Sequence, residues 1–185
     1  MNPAGADKGT VLLCIARASI GSRFGLHLPS DEQPAFLHEP AASFVTLKLE
    51  GRLRGCIGSL QASRPLGEDV KLNAQAAAFS DPRFQPLSAV EFRDTRIEVS
   101  VLSPLLPIAF GSEDEALAAL RPNEDGVVLA WREQRSTFLP QVWESVQEPR
   151  AFLAELKRKA GLPMQYWSEE IRLYRYRVEK WSEAQ

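Results

Sequence analysis

The chain has 185 residues, with 22 Lys and Arg against 24 Asp and Glu, a formal net charge of −2 at neutral pH. A chain of that length buries enough surface to hold a core without disulfides or metal, and 44% apolar with 25% charged residues does not favour disorder. The even charge argues against attachment to nucleic acid or an anionic membrane through net charge alone.

Leu12, Ile15, Ala16 and Ile20 recur at helical spacing and predict a helix over 8–24, stopped by Gly25. Residues 26–42 carry Pro29, Pro34 and Pro40 and read as a loop. Val45, Leu47 and Leu49 then alternate with polar residues as a half-buried strand, and Glu50-Gly51 turns it back into Arg52–Ile57. Ser63 and Pro65 open a helix that passes Val70, Ala74 and Ala77 and ends before Pro82. A strand follows at Ile97, Val99 and Val101, and Ser112 with Glu115 forms a capping box ahead of Leu117. Val127–Trp131 and Ser136–Leu139 form a hairpin. Pro149 opens a helix with Phe152, Leu153 and Leu156 on one face, closed by Gly161. Ile171–Trp181 reads as one last strand. Strands and helices mix without βαβ alternation, so the class is α+β with antiparallel sheet packed against helices.

Two cysteines, Cys14 and Cys56, make neither a disulfide framework nor a C-x-x-C pair. The longest early apolar run, Val11–Ala16, is cut by Arg17, too short for a membrane span and poorly built for a signal core. The expectation is a cytoplasmic protein with no membrane association. No Walker loop, G-x-G-x-x-G or G-x-S-x-G is present, so no cofactor is expected. The cysteines and His27 and His38 lack ligand-pair spacing, so no metal is expected.

The informative segment is Leu53-Arg54-Gly55-Cys56-Ile57-Gly58. It resembles the signature of the AMMECR family, also called AmmeMemoRadiSam system protein A. Phe44-Val45-Thr46-Leu47, Asp81-Pro82-Arg83-Phe84 and Glu98-Val99-Ser100-Val101-Leu102-Ser103 add to the resemblance, as do Phe138-Leu139-Pro140-Gln141-Val142 and Lys159-Ala160-Gly161-Leu162. All follow the expected order, so the resemblance covers roughly residues 10–181. Residues 132–137 depart from the pattern in lacking glycines, which leaves the turn of that hairpin open. The resemblance implies a single domain over 1–185 with two α+β parts, a larger one built from both chain ends and a smaller inserted one. It also implies a gene neighbourhood with a Memo-like protein and a radical-SAM protein, which are the expected partners. It supplies no catalytic assignment.

As a regular strand, residues 52–57 would send Leu53 and Ile57 into the core and Arg54 and Cys56 to the opposite face. A guanidinium beside Cys56 would favour thiolate, the form that attacks electrophiles. Gly55 and Gly58 would let a ligand approach the backbone, and Asp81 and Arg83 could hold that ligand. The leading expectation is a non-catalytic protein binding a partner or a small anionic ligand at Arg54, Gly55, Cys56, Gly58, Asp81 and Arg83. The alternative is an enzyme with Cys56 as catalytic nucleophile and His27 or His38 as base. Equally, Cys56 is read as a packed small hydrophobe. Arg172, Arg175, Arg177 and Lys180 interleave with Tyr174 and Tyr176, a pattern for single-stranded nucleic acid, but the charge balance makes nucleic acid a poor partner.

Overall fold

The alternating stretch at residues 42–58 builds a hairpin of β1 (Ala42–Leu49) and β2 (Arg52–Gly58). Its two-residue loop places Glu50 at φ 51° and Gly51 at φ 77°, the paired left-handed conformation that matches strand twist in tight hairpins. The computed structural model describes residues 7–184. Two compact units divide the chain, one from Met1–Leu102 with Glu179–Gln185 and the other from Ser103–Val178. A larger part is thus built from both chain ends and a smaller one is inserted.

In the first unit β1 pairs antiparallel with β2 and with β3 (Thr95–Leu102), and β8 (Val178–Ser182) completes the order β2-β1-β3-β8. Helices α1 (Lys8–Ser22) and α2 (Leu66–Phe79) supply Leu12, Ile15, Val70 and Ala74 to a core with Val45, Leu47, Ile97 and Val99. The period-2 and period-3.6 faces meet there, as the sequence predicts. Pro65 stands at the N-cap of α2 and Ser63 makes no capping bond, contrary to expectation. The first turn instead carries Glu68 and Asp69, which suit the positive end of the helix dipole. A short helix α3 (Ala89–Asp94), not read from periodicity, opens on a full capping box between Ser88 and Glu91.

The second unit has the order β4-β7-β5-β6, from β4 (Leu106–Pro107), β5 (Gly126–Trp131), β6 (Gln134–Phe138) and β7 (Arg172–Tyr176). Helix α4 (Glu113–Ala119) starts on Ser112, whose side chain accepts the Glu115 N–H. The Glu115 carboxylate accepts from Gly111 rather than Ser112, so the box is only half made. Helix α5 (Pro149–Lys159) has Pro at its first turn and Gly161 at φ 82° after its end, as predicted. Its Phe152 stacks on buried Trp143, with centroids 3.7 Å apart. The β5–β6 turn is a two-residue loop with Arg132 at φ 51°, which a non-glycine residue occupies at some cost.

The last predicted strand is two strands. The segment 171–181 breaks at Arg177, with β7 in the second sheet and β8 in the first. Tyr174 and Tyr176 therefore belong to the second sheet and Val178 to the first.

Candidate functional site

The β1–β2 pairing contains a bulge. Leu47 faces Gly55 and Lys48 faces Leu53, leaving Arg54 as an extra residue on β2. The bulge inverts the alternation at its N-terminal side. Leu53 falls beside Lys48 rather than Leu47 and is 44% exposed, correcting its predicted place in the core. Gly55 takes the core side instead. A Cβ there would fall on the Ala77 carbonyl oxygen, so the glycine lets β2 lie directly against α2. Cys56 pairs with Thr46 on the opposite side from the helices.

β2 is an edge strand, and its exposed peptide groups need partners. Asp81 and Arg83 supply them at Cys56. The Cys56 N–H donates to the Asp81 carboxylate at 2.9 Å, and Arg83 Nη2 donates to the Cys56 carbonyl at 3.3 Å. Arg83 also grips Asp81 through Nε and Nη2 at 3.0 and 2.7 Å. The Asp81 side chain is buried while that of Arg83 is 53% exposed. These hydrogen bonds from Arg83, with that from the Cys56 N–H, hold the Asp81 carboxyl well below the usual carboxylate range against the opposing cost of burial. The Asp-Pro-Arg-Phe segment is thus a clamp on the sheet edge.

Arg54 is held elsewhere. Its Nε and Nη2 donate to the two Glu91 oxygens at 2.8 and 3.2 Å. The expected Arg54 guanidinium beside Cys56 is absent from the contacts, because the bulge residue pairs with α3. The guanidinium at Cys56 belongs to Arg83. The Phe84 ring lies 5.9 Å from the Arg54 guanidinium and 5.4 Å from that of Arg83.

The Arg54 hydrogen bonds lower the Glu91 pKa to about 2, helped by the Ser88 N–H and opposed by burial. A carboxyl that titrates lower folded than unfolded stabilises fully above its unfolded value and loses that contribution as pH falls toward the folded one. Stability should therefore drop from about pH 5 to about pH 2, and Glu91→Gln should make the drop shallower. Asp81, held lower still, keeps its contribution further into acid. Urea unfolding across that range checks this, and equal slopes in both proteins would remove Glu91 from the account.

Cys56 is half-buried, and its Sγ accepts a hydrogen bond from Thr46 Oγ1 at 3.2 Å. Among the described residues neither His27 nor His38 hydrogen-bonds to it. His38 lines a separate cleft with Leu37 and Lys71. Gly58 ends β2 against the Phe44 ring. Just beyond it, Ser59 donates to Asp69, a buried carboxylate that also accepts from the Ser43 N–H and hydroxyl and from Asn73. This hub ties the start of β1 and the end of β2 to α2. On the outer face, Glu98 accepts from Lys48 at 2.8 Å and from Ser182, and lies 3.7 Å from Lys180. In the second unit, Arg175 lies 3.2 Å from buried Asp125, and Arg177 donates to Glu124.

Among the described residues no three His, Cys, Asp or Glu side chains gather as a metal-ligand set, and no helix is long and apolar enough to cross a membrane. The AMMECR1 family model matches residues 13–181. The chain belongs to the AMMECR1 family. It is 35% identical to a protein of Methanothermobacter thermautotrophicus, covering 96% of this chain and 95% of that one. A Thermotoga maritima protein is 36% identical over 86% of this chain and 88% of its own. The crystal structure of an uncharacterised Pyrococcus horikoshii protein is similar, with a TM-score of 0.82, 32% identity and coverage of 95% and 91%. The AMMECR1 signature in this chain is therefore a bulged edge strand with an acid–arginine clamp on its backbone. Thr46, named only within the Phe44–Leu47 segment, completes it together with Asp69 and Glu91, to which the sequence reading assigns no role. Only Glu91 left a legible signal, the Ser88-x-x-Glu91 capping pattern.

Proposed function

We propose that this protein is a non-catalytic accessory protein that binds a partner protein or a small anionic ligand at the β2 edge. The observation that carries this reading is the state of that edge. Asp81 and Arg83 occupy the Cys56 peptide groups, and strand alternation sends the Gly58 N–H and C=O to the same side. Nη1 of the exposed Arg83 side chain has no hydrogen-bond partner among the described residues. A cation and a free peptide N–H on one edge suit a carboxylate, a phosphate or the backbone of an added strand. The family resemblance supports a Memo-like or radical-SAM protein as the partner. A non-catalytic role is supported by the commitment of Asp81, Arg54 and Glu91 to holding backbone and to each other.

Co-expression with a tagged Memo-like or radical-SAM protein tests this. The wild-type chain should co-purify, and Arg83→Lys, which keeps a cation beside buried Asp81 but removes the outward Nη1 donor, should weaken recovery about tenfold with circular dichroism unchanged. A folded, abundant chain that recovers neither protein overturns the partner assignment. In a Cys14→Ala background, iodoacetamide should label native Cys56 slowly across a pH series. Rapid labelling near neutral pH in the folded protein would favour Cys56 as nucleophile instead.

A further inference from the structure

Within the second unit, a cleft of about 420 Å³ opens beside the start of β7. That volume falls in the range of small-molecule sites. Its floor is apolar, with Ile108 and Ile171 both buried. Its wall carries Phe110 and Trp167, with ring centroids 5.6 Å apart. The backbone fixes this arrangement. The Ile108 N–H donates to the Leu173 carbonyl, which extends the β4–β7 pairing by one residue, and the Gly111 N–H donates to Glu115 at 2.7 Å.

Two opposite charges line the same cleft without pairing. Arg172 Nη1 donates to the main-chain carbonyls of Glu169 and Ile171 at 2.6 and 3.1 Å. Those two bonds orient the guanidinium and leave its Nε–Nη2 edge without a partner among the described residues. That edge is the geometry for side-on recognition of a carboxylate. Glu169 also lines the cleft, and its carboxylate has no ion pair or hydrogen bond to another described residue. It is an acceptor suited to an ammonium group.

We infer that this cleft binds a small zwitterion of the amino-acid class with an apolar or aromatic side chain. The carboxylate would meet Arg172, the ammonium Glu169, and the side chain the Phe110–Trp167 wall. This site lies wholly in residues 103–178 and is independent of the β2 edge.

The test is a titration of the isotope-labelled full chain with phenylalanine, followed by amide resonances. Two matched probes each lack one charge: 3-phenylpropionate, without the ammonium, and phenethylamine, without the carboxylate. Phenylalanine should shift the Gly111 and Arg172 amides saturably. Each single-charge probe should bind about tenfold more weakly, the usual scale for one charge-assisted hydrogen bond. Arg172→Gln should abolish the advantage of phenylalanine over phenethylamine, and Glu169→Gln its advantage over 3-phenylpropionate. Both side chains are exposed, so both variants should keep the wild-type spectrum away from the cleft. No saturable shift up to the solubility limit of phenylalanine overturns the inference. Equal binding of all three probes, or shifts confined to other regions, overturns it as well.

Discussion

Gly55→Ala should destabilise the protein by about 3 kcal/mol, the upper part of the usual cost of overpacking. The added methyl would collide with the Ala77 carbonyl oxygen, part of the backbone of α2, which cannot swing aside as a side chain does. Relief requires β2 and α2 to separate, and that also opens the layer of Val45, Leu47, Val70 and Ala74. Urea unfolding followed by circular dichroism measures the loss. A wild-type midpoint would show that strand and helix do not approach as closely as described. Because the collision lies on the core side, the same substitution should disturb the Asp81–Arg83 clamp on Cys56 only through movement of the whole strand.

Asp69→Ala should cost about 4 kcal/mol, in the range for removing one member of a buried charged network. It would strand the buried Ser43 N–H, take the acceptor from the Ser43 hydroxyl, leave the Asn73 amide only its bonds to Ser43 and Ser59, and free Arg64, 3.2 Å from the carboxylate. Asp69→Asn should recover part of the loss, since one oxygen can still accept. If Asp69→Ala unfolds like wild type, water replaces the carboxylate and the hub is not structural.

Much of the fold was legible because local pattern and tertiary packing agree. The 44–49 alternation, the Glu50-Gly51 turn and the Pro149–Gly161 helix carry their signals within a few residues of where they act. The failures have physical causes of another kind. Strict alternation assigns Leu53 to the core, and a single bulge residue reverses its side. The 171–181 stretch keeps strand propensity throughout, and nothing local marks Arg177 as the point where pairing partners change. For the site, the signature and the Asp81–Arg83 pair were visible as residues. Their relation was not, since the clamp forms between segments 25 positions apart and acts on backbone atoms. Spacing pairs Arg54 with Cys56, whereas Glu91, on a helix that periodicity does not reveal, takes its guanidinium.

The division of the chain also orders events during synthesis. Residues 103–178 are contiguous, so every strand of the second sheet is available once Tyr176 has left the ribosome. The first sheet is begun earlier but lacks its last strand until residues 178–182 follow. Until then β3 is an open edge. Arg17 has no Glu183 to pair with, and the Ile97 N–H has no Glu183 carboxylate to accept it. The unit begun first is therefore completed after the unit inserted in it, and on a nascent chain its uncovered β3 edge is open to pairing with a neighbour.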